Sequence, residues 1–469
     1  MKTKNYFDLK KVLPAVLTIA VGMLLVMMDT TIMNVALPHI QSTFNTNLAT
    51  SQWAITAYTL AMAAVIPYSG WLADRFSAKK IFGIAILFFT IASLLVSIST
   101  NIEQVIFYRI LQGLSGGIVG PIGIAISFKI IPIEKRGSMM GLLGLPMLLA
   151  PTIGPALSGF LIKYYNWHTI FLINIPIGLL SLILVFLFLP NFKSKHNTKI
   201  DLRGAFLSPL AFPLLIYGVH VGSDKGWQSP ISIISIALGF LMLLTFIFLE
   251  TKTQTPLLEV KVFKISEFRK GIILMWLNQI AVFGSMLLIP LYLQNIRNYS
   301  SLEAGLMMVP QAIASFIGMT VGGRLFDKYG TKSAAIPGFL LTGFSLILLA
   351  QITNTTALAY LIICIILLGL GQGLVNMQVN NHALQSVPLN LINRVTPMTN
   401  ELLQVINSLS IAFITAFLSN QIKTAFRKHS LAVSGNIAFH NTFILLTIFI
   451  AIGLGLTFFL KNKKSKEAS

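Results

Sequence analysis

The feature that most limits how this chain can fold is a series of 14 apolar stretches, each long enough to cross a bilayer. A crossing helix needs roughly 20 apolar residues. The stretches run 12–38, 51–73, 80–99, 104–126, 137–161, 167–189, 204–222, 230–249, 271–294, 303–323, 333–351, 357–379, 397–422 and 439–460. Hydrocarbon offers no partner to a backbone N–H or C=O, so such stretches read as helices that satisfy their own backbone. Only 10% of the residues are charged, where a soluble protein carries about a quarter. The expected class is an all-α integral membrane protein. The opening "MKTKNYFDLKK" and its apolar sequel mimic a signal peptide. That apolar run is too long for one and lacks a small-residue cleavage site, so it reads as a retained first helix.

A net charge of +20 invites a nucleic-acid reading, and its distribution argues against one. With the N-terminus placed in the cytoplasm, 27 of the 34 Lys and Arg residues fall in inside loops and tails. Six fall outside (Lys163, Lys225, Arg297, Lys423, Arg427 and Lys428), and Arg109 lies within a span. That asymmetry is the positive-inside pattern, with both termini cytoplasmic. The basic surface suits anionic lipid rather than nucleic acid. The single cysteine, Cys364, excludes an internal disulfide and supplies no metal cluster.

Two charges stand out against this background. Asp29 follows an apolar run and lies about 17 residues into the first span, roughly 25 Å along a helix that rises 1.5 Å per residue. Arg109 enters span four from the other side and reaches a similar depth, so the two can face one another. A lone acid at that depth costs several kcal/mol and is by default a proton or cation site. A guanidinium that stays charged can set when a neighbouring carboxylate releases its proton. The plainer reading is a static ion pair that fixes helix packing. Glu401 is a third candidate. Thr396-Pro397 reads as a helix start, which puts Glu401 near the first turn, where an interfacial acid is the simpler expectation. Glu303, at the start of span ten, reads as structural.

The chain also repeats itself. "GWLADRFSAKK" (70–80) closes span two and "GGRLFDKYGTKS" (322–333) closes span ten, with Asp74 and Asp327 set 253 residues apart. Homologous halves point to a transporter with its binding site near the interface of the repeats. Spans seven and eight are left over as an insertion, which gives an expected division into 1–190, 191–270 and 271–469.

At this point the motifs carry a resemblance. "MDTTIMNVALP", "WAITAYTL", "GWLADRFSAKK", "YRILQGLSGGIVGP", "LLAPTIGPALSGFL", "WHTIFLINIPIG" and "PLYLQNIRNYSSLEAGLMMVP" occur in that order over essentially the whole chain. Together they resemble the major facilitator superfamily, and within it the 14-helix drug:proton antiporters of the EmrB/QacA type. The resemblance implies two six-helix bundles plus two inserted helices, and proton-coupled efflux of hydrophobic or cationic compounds by alternating access. It implies no cofactor, no metal and a monomer in a bacterial-type cell membrane. Proton coupling falls to Asp29, Arg109 and Glu401, and a cytoplasmic gate to Gly70, Asp74, Arg75, Lys79, Asp327 and Lys328. An antiporter helix motif comprises Gly144, Gly154, Pro155 and Gly159, with a local bend expected at Gly154-Pro155. Ala150, Gly154 and Ser158 form a small-residue row at four-residue spacing that permits close helix approach. Ser77 stands where the first loop motif usually has glycine, Ala150 and Ser158 replace glycines in helix five, and Asn407-Ser408 replaces a usual Gly-Gly pair.

Substrate contacts are the least defined part. Polar residues able to line a cavity are Asn34, Gln52, Tyr58, Gln112, Asn278, Gln279, Asn376, Gln378 and Gln404. The 17 methionines suit adaptable recognition of unrelated amphiphiles. No phosphate-binding G-x-x-x-x-G-K-[ST] occurs, which argues against an ATP-driven pump. The seven histidines are scattered and none forms a metal-spaced pair, which argues against an enzyme. A dedicated exporter of one metabolite or lipid on the same fold stays open.

Overall fold

The computed structural model describes residues 9–46, 48–192, 201–299, 301–426 and 431–461, and all regular structure among them is helical. The chain divides into two compact units. The first comprises Met1–Leu214, Leu238–Lys261 and Pro388–Glu401; the second comprises Leu215–Ala237, Val262–Val387 and Leu402–Ser469. In chain order the helices are α1 (Leu9–Thr43), α2 (Leu48–Val65), α3 (Tyr68–Phe76), α4 (Ala78–Ser97), α5 (Ile102–Ile130), α6 (Arg136–Leu143), α7 (Leu145–Tyr164), α8 (Trp167–Leu172) and α9 (Asn174–Phe188). The inserted pair follows as α10 (Leu202–Lys225) and α11 (Pro230–Lys252). The remainder are α12 (Ser266–Asn295), α13 (Ser301–Leu306), α14 (Val309–Tyr329), α15 (Thr331–Ala350), α16 (Leu358–Gln385), α17 (Ile392–Phe426) and α18 (Leu431–Thr457). The division between the units falls inside α10, α11 and α17.

Each unit uses the same packing device. In the first, Gly113 and Gly117 of α5 lie against the backbone carbonyls of Tyr58 and Met62 in α2, where any Cβ would collide. In the second, Gly369 and Gly373 of α16 lie in the same way against Gln311 and Ser315 of α14. Small residues four apart let two helix backbones close together without help from the hydrophobic effect, which is weak between helices in lipid.

The joints also correspond. A single residue links α3 to α4 and another links α14 to α15. Ser77 holds φ 80° at the first joint and Gly330 holds φ 85° at the second. Glycine adopts that region freely, whereas an L-residue pays for it. The usual glycine of this loop motif therefore has a conformational reason, and Ser77 occupies a strained position.

Three expectations meet a different arrangement. The span expected at 51–73 is not one straight helix: α2 and α3 meet at a 55° bend at Ile66-Pro67. Pro67 has no N–H to continue the ladder, and the Ser69 N–H and hydroxyl both donate to the Ile66 carbonyl, at 3.0 and 2.7 Å. Pro397 does not start a helix, because α17 begins five residues earlier and runs through it. Thr396 Oγ donates to the Ile392 carbonyl at 2.6 Å, so a hydroxyl on the turn before Pro397 supplies a local backbone contact there. The bend expected at Gly154-Pro155 lies within helical backbone, and the break in this stretch falls at Gly144, between α6 and α7.

Among the described residues, 12 helices are long and apolar enough to cross a membrane, and the bent α2/α3 pair brings the number to 13. The expected span at 137–161 corresponds to α6 and α7, where several side chains of α7 lie outside the described residues.

Candidate functional site

Asp29 and Arg109 meet inside the first unit. Both are fully buried, and Arg109 Nη1 donates to Asp29 Oδ2. The same nitrogen donates to Gln112 Oε1 at 2.6 Å, and Arg109 Nε donates to the Ala54 carbonyl at 3.0 Å. The guanidinium lies 3.9 Å from the centre of the Tyr58 ring, a cation–π contact that needs no donor. Phe171 of α8 stands 5.9 Å away on another side.

The second carboxylate oxygen is held as firmly. Gln112 Nε2 and Asn174 Nδ2 donate to Asp29 Oδ1 at 2.8 and 2.9 Å. Both amides also donate to Ser93 Oγ, at 2.7 and 3.3 Å. The result is a closed network of one carboxylate, one guanidinium, two amides and a hydroxyl, drawn from α1, α4, α5 and α9. A charge this deep is tolerated because the carboxylate is paired with the guanidinium and both of its oxygens accept hydrogen bonds. Helical spacing brings Arg109 and Gln112 onto one face of α5, three residues apart.

Asn174 and Ser93 were not among the expected site residues. Asn174 carried a signal, as a lone amide in the apolar "FLINIPIG", but Ser93 carried none. Gln112 and Tyr58, expected to line a cavity, are instead buried components of this cluster. Asn278 and Gln378 are buried as well, and neither polar atom of the Asn278 amide has a hydrogen-bond partner among the described residues. Gln52, Gln279, Asn376 and Gln404 are partly exposed, and Gln279 donates to Asn407 at 3.3 Å. The side chains of Asn34 and Pro155 lie outside the described residues.

The small-residue row of α7 packs next to Asp29. Gly154 faces the Thr31 hydroxyl so closely that no Cβ fits. Thr31 Oγ donates to the Ala150 carbonyl at 3.0 Å, and Ser158 Oγ donates to the Ile32 carbonyl at 3.3 Å. All three members of the row therefore touch α1 within three residues of the carboxylate. Gly159 does not belong to this contact, since a Cβ there would meet nothing within 4 Å.

The loop residues separate by role. Asp74 accepts from Asn393 Nδ2 and lies 3.7 Å from Arg394 Nε, which ties α3 to the start of α17. Gly70 makes that approach possible, because the Asn393 carbonyl occupies the space a Cβ would need. Lys79 donates to the carbonyls of Phe186 and Leu189 at 3.2 and 2.6 Å, capping the end of α9. Arg75 lies 5.9 Å from the Phe76 ring. In the second copy Asp327 is half-buried, and the exposed Lys328 lies 5.0 Å from the Tyr329 ring.

Glu401 differs most from its expectation as an interfacial acid. It sits nine residues after the first residue of α17, fully buried, with neither carboxylate oxygen hydrogen-bonded among the described residues. Glu303 lies exposed in the first turn of α13. Among the described residues no three or more His, Cys, Asp or Glu side chains gather as metal ligands.

A family model described as Major Facilitator Superfamily matches residues 19–414. The chain belongs to the major facilitator superfamily. It is therefore a transporter, a multi-pass membrane protein and not an enzyme. It is 28% identical over 463 residues to the lincomycin resistance protein LmrB of Bacillus subtilis, covering 97% of both chains. It is 28% identical over 464 residues to the riboflavin transporter RibZ of Clostridioides difficile, covering 96% of this chain and 98% of that one. Among solved structures, the proton:xylose symporter XylE shares the fold with a TM-score of 0.64 at 13% identity, over 98% of each chain.

Proposed function

We propose that this major facilitator protein is a proton-coupled antiporter that exports hydrophobic or cationic small molecules. The observation that carries the reading is the buried Asp29 carboxylate, held by Arg109, Gln112 and Asn174 with no solvent exposure. Ionised, Asp29 anchors the guanidinium and closes the network. Protonated, it becomes neutral and loosens Arg109, which keeps its contacts to the Tyr58 ring and the Ala54 carbonyl. The α1–α7 contact at Thr31 and Ile32 lies within three residues and is placed to respond. One proton thus changes the charge of the network and the strength with which α1, α5 and α9 are held together. That coupling is the minimum an antiporter needs. Glu401 is the second acid available to titrate, and the Asp74–Asn393–Arg394 contact is the cytoplasmic latch that transport must open and close.

In the full reading the chain is a 14-helix monomer in a bacterial cell membrane. Spans 1–6 and 9–14 form two bundles, the segment 191–270 inserts two further helices, and both termini are cytoplasmic. A cysteine placed at Lys199 should resist reagents added from outside the cell, and external labelling there would overturn this topology.

The deciding experiment measures substrate-driven proton flux in proteoliposomes with the wild type and Asp29→Asn. The variant is expected to insert and bind neutral substrates while losing gradient-driven efflux, because it mimics the protonated state permanently. Stable protein with undiminished driven efflux would remove Asp29 from the coupling and leave Glu401 as the carrier. A second reading, export of one dedicated metabolite, draws support from the similarity to RibZ. Proton flux elicited by several unrelated amphiphiles favours the first reading, and flux with one metabolite alone favours the second.

A further inference from the structure

Four helix ends of the second unit converge on one carboxylate. Glu267, in the first turn of α12, accepts from Lys270 Nζ on one oxygen at 2.8 Å. Its other oxygen accepts from the Lys461 N–H at 2.9 Å, just beyond α18, and faces His382 Nε2 at 3.2 Å. His382 lies in the last turn of α16, and its Nδ1 is 2.8 Å from the hydroxyl of Thr331, the first residue of α15. We propose that Thr331, His382 and Glu267 form a proton-binding site, separate from Asp29, that frees the end of α16 when the cytoplasm acidifies.

The hydrogen-bond roles define the resting state. An ionised carboxylate can only accept, so Nε2 carries the ring hydrogen and Nδ1 accepts from the Thr331 hydroxyl. A proton can be added at Nδ1 without losing that contact, because the hydroxyl can turn and accept instead. The charge balance is what changes. At rest Glu267 and Lys270 cancel; after protonation one carboxylate serves two cations, and the newly charged ring is only 9% exposed. Glu267 and Lys270 are the charged side chains that face the ring. Lys332 donates instead to the Phe458 carbonyl at 2.7 Å, and Lys461 contributes its backbone. An imidazolium that shares its counter-charge gains by moving into water, and Thr331 then loses its partner. The end of α18 stays in place, because Lys270 and Lys332 hold the carbonyls of Phe459 and Phe458. The proton's path is short, since the side chains of Glu267 and Lys270 are 18% and 29% exposed. All four helix ends are cytoplasmic in the topology proposed above. Thr331 directly follows the Gly330 joint and the loop that carries Asp327 and Lys328, so release of α16 loosens the second copy of the gate motif. In the first unit Ala78 follows Ser77 and has no hydroxyl to offer, so the lysine cap recurs there and the histidine contact does not.

The test requires no transport, so this proposal and the antiport reading can fail separately. Full-length protein with carbon-13-labelled histidine, in nanodiscs, is titrated by NMR from about pH 5 to about pH 8, the range that brackets an ordinary histidine. The His382 resonance is identified by its absence in His382→Gln and should titrate within that range. Glu267→Gln removes the favourable charge and should weaken proton binding at least about tenfold, whereas Lys270→Gln removes the competing cation and should strengthen it several-fold. Lys270 is partly exposed, so its variant folds and decides the matter even where the other two do not. Release of α16 is read by hydrogen–deuterium exchange over residues 380–386, corrected for the intrinsic pH dependence of amide exchange. Exchange there should be about tenfold faster at the acid end than at the neutral end in the wild type, and equal at both in His382→Gln. A His382 that does not titrate in this range, a midpoint indifferent to both charge changes, or the same acid acceleration in His382→Gln would each overturn the proposal.

Discussion

The two units bury polar groups in different ways. In the first, the central cluster is charged: Asp29 and Arg109 are joined by Gln112, Asn174 and Ser93. In the second, the corresponding kind of cluster is neutral. Gln311 Nε2 donates to Gln372 Oε1 at 3.0 Å, and Gln372 Nε2 donates to Ser285 Oγ at 3.1 Å. Both clusters knit three or more helices, so both serve packing. Only the charged one can change its net charge with a proton. The comparison separates the two jobs that a single buried network might otherwise be thought to share, and it locates the proposed coupling in the first unit.

The contrast is broken most directly by removing one partner from each cluster. Asp29→Leu leaves Arg109 buried without its counter-charge and should cost about 3–5 kcal/mol. Gln372→Leu leaves only the neutral Gln311 amide without its partner, while Ser285 Oγ still donates to the Val282 carbonyl at 2.9 Å, and it should cost about 1–3 kcal/mol. Thermal denaturation of the two variants in one detergent checks this ordering. Equal losses would mean that the ion pair is no more than packing polarity, and the proposed division of labour would fall.

A smaller effect sharpens the link between the α7 row and the carboxylate. Gly154→Ala adds a methyl where the Thr31 hydroxyl already sits and should cost about 1–3 kcal/mol through displacement of α1. Gly159→Ala meets nothing within 4 Å and should be silent. If the row matters for coupling through Asp29, Gly154→Ala should also lower driven efflux by more than its loss of folded protein explains. Transport normalised to folded protein for the two variants decides it.

Much of this was legible in the sequence, for identifiable reasons. The spans stand out because hydrocarbon demands long apolar helices. Asp29 and Arg109 stand out because charges are costly at that depth, and the rise of a helix was enough to bring them level. Asn174 and Ser93 stayed hidden because amides and hydroxyls are cheap in membrane helices, and nothing in a single sequence says which of them face a carboxylate. Pro397 misled because the proline rule for helix starts comes largely from water, where a helix can end and expose its backbone. In an apolar setting, ending the helix costs more than tolerating the ring, so α17 runs on and carries Glu401 into full burial. Pro67 did bend the chain, and no periodicity in 51–73 marked the 55° break.

The smallest expected effect concerns the joints, where the two units are most alike. Ser77 and Gly330 hold nearly the same φ, 80° and 85°, with ψ at 131° and −176°. An L-residue held at positive φ pays about 1–2 kcal/mol relative to glycine. Gly330→Ala should therefore lower stability by about that amount. Ser77→Gly should raise it, but by less than about 1 kcal/mol, because glycine gives back part of the gain as unfolded-state entropy. Opposite signs for the two substitutions would establish that both joints are governed by the same positive φ despite their different residues. A Ser77→Gly variant that melts below the wild type would mean that the serine side chain contributes more than its strain costs, and the equivalence of the two joints would end at the backbone.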